Sequence, residues 1–252
     1  MIRVLIEKEI YCGFASLRFF AILFLFSLFS GLAFFYYTDT FISIQSQALS
    51  KGGPILKPSQ LLLVYFEALH FVFLIMISAL TMGAFTEEKK QNTLRFLQSS
   101  PLSSWNLVFS KYAAQMLFMS LALLVSAVYP LYLLYYSHLD PNLVLCSYLA
   151  ALLVLSSYTA FGLWMSAIAS SPLTAFLFTS LGLLSFLLMG SSSALFKAYP
   201  WFESILAYLG SSEHYSMIAK GILTVSDLGY FLSTSSLYLF FSLLSYESLR
   251  WK

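Results

Sequence analysis

Two ionisable residues, Glu67 and His70, stand inside an apolar run of this 252-residue chain. Three positions apart, they share a helix face and can interact. A charge at the centre of a bilayer costs about 2.5–3.5 kcal/mol on insertion scales, so such groups normally face protein or water. One reading makes them a pathway lining or a proton-linked pair. The other places both near the outer interface, since Glu67 is only about two turns in and reaches water. No Ser-His-Asp arrangement and no metal-ligand set surrounds them, so an intramembrane enzyme built on the pair lacks its other parts. Cys12 and Cys146 lie far apart in apolar settings and form neither a disulfide framework nor a metal cluster. His138 and Asp140 read as a short solvated outer turn. Catalytic and metal residues are therefore expected to be absent.

The densest charge lies in TEEKKQNTLRFLQSSPLSSWNLVFSKY, which holds Glu87, Glu88, Lys89, Lys90, Arg95 and Lys111. It begins as a charged extension of an apolar helix. Thr93–Leu97 then presents Leu94, Phe96 and Leu97, Pro101 stops it, and Ser103 or Ser104 can cap the next helix. A charge run alone is usually a solvated face. Interleaved apolar residues make this one a docking surface for a soluble partner.

The elements that carry these groups can be read from composition. Hydrophobic residues make up 60% of the chain and charged residues 10%, with a net charge of +2. Soluble domains have about 25% charged and about 45–50% apolar residues, so lipid must be the solvent for most of this chain. A soluble enzyme, a disordered protein and a secreted disulfide scaffold are excluded. The small net charge also argues against nucleic-acid binding. Crossing the hydrocarbon takes roughly 20 apolar helical residues. Six stretches qualify: 17–37, 61–85, 112–136, 143–169, 173–196 and 228–249. They are apolar on every face, so they read as helices and not as barrel strands. The fold class is all-α, polytopic, with six transmembrane helices.

The first run could pass for a signal peptide. It lacks a small-residue cleavage site and ends in Tyr36-Tyr37, an interfacial belt, so it is read as retained. With the N-terminus inside, Arg3, Lys8, Arg18, Lys89, Lys90, Arg95, Lys111, Arg250 and Lys252 are cytoplasmic. Lys51, Lys57, Lys197 and Lys220 are outside. That division of the 13 Lys and Arg residues predicts both termini in the cytoplasm.

Residues 1–16 carry Ile2, Leu5, Ile6, Ile10 and Phe14 at helical spacing, which indicates an interfacial amphipathic helix; a plain cytosolic extension of the first span is the alternative. The outer loop 38–60 contains Gly52-Gly53-Pro54 and Pro58 and is predicted to be irregular. In 197–227, Trp201, Phe202, Ile205, Leu206 and Leu209 share a face that Gly210 could end. Ser211 or Ser212 could then cap a second short helix presenting Tyr215, Ile218 and Ile222. This is an amphipathic hairpin dipping into the outer leaflet, or two helices lying flat on it. Ser156, Ala160, Gly162, Ser166 and Ser170 form a small-residue face suited to close helix packing, within one subunit or across a dimer.

The segment 86–112 resembles the signature of type-2 ABC transporter permeases, especially the subfamily named for gliding-motility export. The resemblance is carried by Glu87-Glu88, Lys89-Lys90, Thr93, Leu94, Leu97, Ser100-Pro101 and Lys111-Tyr112. HYSMIAKGILTVSDLGYFL, residues 214–232, is similar to the family's stretch before the last span, with Lys220-Gly221 and Asp227 matching. Asn92 stands where the family usually has Gly, and the proline often found before the first span is missing.

The resemblance implies an interfacial helix at 1–16 followed by a permease domain over 17–252. It also implies a coupling loop at 86–111 that meets the ATPase through Glu87, Glu88, Lys89, Thr93, Leu94, Arg95, Leu97 and Pro101. No G-x-x-x-x-G-K-[ST] occurs, so ATP and Mg are expected on a separate subunit and no cofactor on this chain. The implied assembly pairs this chain with an ABC ATPase and a second permease subunit, alike or different, in the bacterial cytoplasmic membrane. The expected function is that of a permease subunit of an ATP-driven exporter. The alternative is a non-transporting membrane scaffold that docks a cytosolic protein.

Overall fold

Apolar runs without internal breakers fold as long helices, and the computed structural model is built from them. It describes residues 2–52, 57–91, 103–137, 139–192 and 200–248. Helix α1 spans Ile2–Phe14, α2 Leu17–Lys51, α3 Pro58–Thr81, α4 Thr86–Lys90, α5 Ser104–Val125 and α6 Val128–Ser137. They are followed by α7 Pro141–Ile168, α8 Pro172–Ser192, α9 Pro200–Leu209, α10 Ser211–Ala219 and α11 Val225–Ser248. No strand occurs among the described residues. Six helical segments are long and apolar enough to cross a membrane: Leu17–Lys51, Pro58–Lys90, Ser104–Ser137, Pro141–Ile168, Pro172–Gly190 and Val225–Ser248.

The prediction of an irregular outer loop from residue 38 is corrected over most of its length. Helix α2 is 35 residues long and continues to Lys51. Residues 38–51 contain neither Gly nor Pro, and the hydroxyls of Thr38 and Thr40 bond back to the Phe34 and Tyr36 carbonyls. The polar side chains are thus satisfied without leaving the helix. Gly52 ends it at φ +66°, donating its N–H to the Ala48 carbonyl, in the left-handed region glycine enters freely.

Two further local differences have plain causes. The third apolar run is two helices, broken at Ser126–Ala127. Pro130 lacks an N–H and its ring collides with the carbonyl four residues back, which lies at that break. Ser103 occupies the N-cap of α5 without a side-chain bond. By contrast, Ser16 joins α1 to α2, its hydroxyl donating to the Gly13 carbonyl and accepting from the Phe19 N–H.

Helix α7 is the hub, packed on α11, α3, α10, α8 and α5. The core lies where α3 meets it: Tyr65, Phe66, Leu69, Phe73 and Ile77 are fully buried with Val154 and Leu155. The small-residue face of α7 serves contacts inside the chain. A Cβ on Gly162 would collide with the Thr81 side chain, and Ser156 bonds Ser235 of α11 at 3.0 Å. Gly210, between α9 and α10, comes so close to the backbone of Gly190 in α8 that no Cβ fits. Ser211 and Ser212, expected to cap α10, do not: Gly210 is its N-cap. Their hydroxyls instead meet Tyr158 and the Leu187 carbonyl.

Candidate functional site

The charged segment after α3 is positioned by a bend. Between α3 and α4 the backbone turns at 82–85, and Ser166 of α7 clamps that turn. Its hydroxyl accepts from the Phe85 N–H at 3.1 Å and donates to the Met82 carbonyl at 3.3 Å. Thr86 also donates to the Met82 carbonyl.

From this clamp α4 sends successive side chains in different directions, because neighbouring helical residues are rotated by about 100°. Glu87 pairs with Arg18 in the first turn of α2. Glu88 accepts from Lys111 of α5 at 2.6 Å, and Lys111 also reaches Glu9 of α1 at 3.4 Å. Lys89 donates to the carbonyls of Ala167 and Ala169 at the end of α7, where a cation suits the helix dipole. Three consecutive residues thus tie α4 to α2, α5 and α7, and Lys111 extends the tie to α1.

The ties differ in strength. Arg18 and Glu87 are substantially exposed, so solvent and salt weaken their attraction. Lys111 is only 5% exposed, and its ammonium lies 5.5 Å from the Phe85 ring centroid. A buried charge is tolerated only when paired, and Lys111 has two carboxylates. Of the predicted coupling residues, Glu87, Glu88 and Lys89 meet in this node. Thr93, Leu94, Arg95, Leu97 and Pro101 lie outside the described residues. Arg18, Lys111 and Glu9 complete the node from outside the predicted coupling set, and of these Glu9 is the one that sequence reasoning did not single out.

Glu67 and His70 part company. Glu67 is exposed, whereas His70, near the middle of the 24-residue α3, is 4% exposed. His70 Nε2 bonds the Tyr158 hydroxyl at 2.8 Å, and that hydroxyl meets Ser211 Oγ at 2.6 Å. The Tyr158 hydroxyl has one proton, so it donates to one neighbour and accepts from the other. Tyr215 of α10 lies over His70 with ring centroids 4.5 Å apart and donates to the Phe66 carbonyl at 2.7 Å. A carbonyl only accepts, so the Tyr215 hydroxyl is the donor there. The chain His70–Tyr158–Ser211 therefore locks α10 against α3 and α7.

A second lock closes the other side of α10. His214 Nδ1 lies 2.5 Å from Asp227 Oδ1, with its Nε2 3.0 Å from the Tyr208 carbonyl oxygen. Asp227 Oδ2 accepts from Thr224 at 2.6 Å, and the Tyr230 ring stacks on the imidazole. Tyr158 and the His214–Asp227 contact are not legible as a site in the sequence, because no spacing marks them. Among the described residues no group of three or more His, Cys, Asp or Glu could hold a metal.

These features define an all-helical, six-span integral membrane protein whose charged groups gather at the helix ends. The family model described as "ABC-2 family transporter protein" matches residues 3–248. The chain belongs to that family, whose members are the membrane permease components of ABC transporters. A comparison with curated proteins returns no match.

Proposed function

We propose that the chain is the membrane subunit of an ATP-driven exporter, with nucleotide hydrolysed on a separate ABC ATPase. Both termini face the cytoplasm of a bacterial inner membrane, and a second permease subunit completes the pathway. The segment 93–98 docks on the ATPase through Leu94 and Leu97, with Arg95 beside them and Pro101 after. The observation that supports this most is the node at Glu87, Glu88 and Lys89, immediately before that segment. A push on 93–98 is passed by three side chains to α2, α5 and α7, and through Lys111 to α1. Packed helices move as rigid bodies between discrete arrangements, so such a node turns ATPase closure into a shift of the bundle.

The interfacial helix at 1–16 belongs to the same device through Glu9. The hairpin 197–227 forms the opposite wall, held by His70–Tyr158–Ser211 and by His214–Asp227.

Co-reconstitution of the chain with its ATPase in proteoliposomes tests the reading. ATP hydrolysis should rise in the presence of the permease. A scaffold would bind the ATPase and leave its turnover unchanged, and that result would reject the exporter.

A further inference from the structure

His214 of α10 has an acceptor opposite each ring nitrogen. Its Nε2 lies 3.0 Å from the Tyr208 carbonyl oxygen, and its Nδ1 lies 2.5 Å from Asp227 Oδ1. A carbonyl only accepts, so Nε2 carries a hydrogen. In a neutral ring that leaves a lone pair on Nδ1, aimed at a carboxylate oxygen. The 2.5 Å contact therefore needs a proton of its own, on Nδ1 or on Oδ1. Asp227 Oδ2 is already used as an acceptor: Thr224 Oγ1 takes the Asp227 N–H at 3.2 Å and gives its own proton to Oδ2 at 2.6 Å. With the proton on either atom, the closed pair holds one more than a neutral histidine beside an ionised aspartate.

The surroundings suit that extra proton. The Tyr230 ring stacks on the imidazole at 4.2 Å between centroids, and an aromatic face at this range attracts a cation. Tyr230 keeps its own hydrogen, which it donates to the Leu209 carbonyl. Tyr208 of α9 stands edge-on to the imidazole at 5.3 Å. Tyr158 of α7 and His70 of α3 belong to the other side of α10, against Ser211 and Tyr215, and Glu67 of α3 is exposed. Helix α8 carries no ionisable residue. Glu213 and Lys220 of α10 form no ion pair with either partner. The His214 and Asp227 side chains keep 9% and 8% of their surface open, enough for solvent to exchange the proton.

The first lock on α10 has no such requirement. His70 Nε2 faces the Tyr158 hydroxyl, which both donates and accepts, so that contact closes around a neutral ring.

We propose that His214 and Asp227 form a proton-held latch: one proton between Nδ1 and Oδ1 fastens α10 to α9 and α11, and its loss releases them. Without it a lone pair and a carboxylate face each other, and the pair separates. Tyr208 lies in the last turn of α9 and Asp227 in the first turn of α11, so release loosens both junctions of the hairpin together. The closed state binds the additional proton, so acid fastens the latch and rising pH releases it. The latch is independent of the exporter reading and would stand if that reading failed.

Hydrogen–deuterium exchange of the full chain in lipid nanodiscs reads the latch in peptides covering 206–227. The comparison is between about pH 5.5 and about pH 8.5, on either side of an ordinary imidazole's titration. After correction for intrinsic exchange, protection should fall about tenfold or more at the higher pH, the scale of one hydrogen bond to a charged group. Asp227→Asn puts a carboxamide N–H opposite Nδ1 in place of the proton, and should keep these peptides protected at both pH values. Protection in the parent chain that does not change with pH overturns the proposal, as does an equal fall in Asp227→Asn. An equal fall in peptides of α3 would be a general loosening and also overturns it. Proton NMR of the histidine-labelled parent chain needs no substitution at 227. A strongly downfield N–H signal, missing in His214→Gln, should be present at the lower pH and lost at the higher. Its absence at the lower pH rejects the latch.

Discussion

Lys111 of α5 and Glu88 of α4 form a 2.6 Å ion pair in which the lysine is 5% exposed. They are 23 residues apart and bracket the whole segment that joins the second and third spans. The pair therefore closes the base of that connection whatever the segment itself does. Glu9, 3.4 Å from the same ammonium, adds α1 to the closure. A connection with a fixed base can transmit a force applied at its tip.

Lys111→Met should destabilise the protein by about 1–3 kcal/mol, because it removes the buried cation that Glu88 and Glu9 share. Adding Glu88→Gln should recover much of the loss, since a neutral pair needs no counter-charge. Thermal unfolding in detergent measures both. A Lys111→Met variant as stable as the parent would show that the pair is solvated.

Gly162→Val should cost about 1–3 kcal/mol by overpacking, because a Cβ there collides with Thr81. The same variant should loosen the bend that Ser166, one turn further on, clamps. Faster proteolysis near residue 91 together with a lower unfolding temperature is the expected outcome. An unchanged unfolding temperature would contradict the close approach of α3 and α7.

Much of this architecture is legible in the sequence, and the reasons are physical. Each span is an apolar run of bilayer length, so the six helices are written locally. The long extension of α2 is hidden because Thr38, Asp39 and Thr40 look like the end of a span, although no breaker precedes Gly52. Pro130 is visible but lies inside an apolar run, where nothing else marks a break. The partners of Lys111 are not readable at all: Glu9 is 102 residues away, and nothing in either neighbourhood encodes the meeting. Glu67 and His70 show the limit of spacing. Positions three apart are rotated by about 60°, enough for the boundary between buried and exposed surface to fall between them.

Glu67→Gln should leave folding unchanged, since an exposed side chain away from the packed core usually shifts stability by less than about 0.5 kcal/mol. Its effect on transport separates two roles. Placement on the exposed side of α3, apart from His70's bond to Tyr158, predicts an unaltered transport rate. A fall in transport with normal expression and assembly would place Glu67 in the pathway.

Topology is open to direct labelling. Lys90→Cys and Lys51→Cys alter exposed positions, in a background with Cys12 and Cys146 replaced by serine. In intact cells an impermeant maleimide should label position 51 and not position 90. Labelling of position 90 from outside would invert the arrangement and move the coupling segment away from any cytoplasmic ATPase.

The most direct test of coupling is nucleotide hydrolysis by the reconstituted complex carrying Leu94→Asp and Leu97→Asp. Burying a leucine contributes about 1.5–3 kcal/mol, and interface anchors of this kind dominate docking. The double variant should insert in the membrane normally, because residues 94 and 97 lie between spans, yet fail to bind or stimulate the ATPase. A double variant that assembles with the ATPase and stimulates hydrolysis as the parent does would contradict the assignment of 93–98 as the coupling segment.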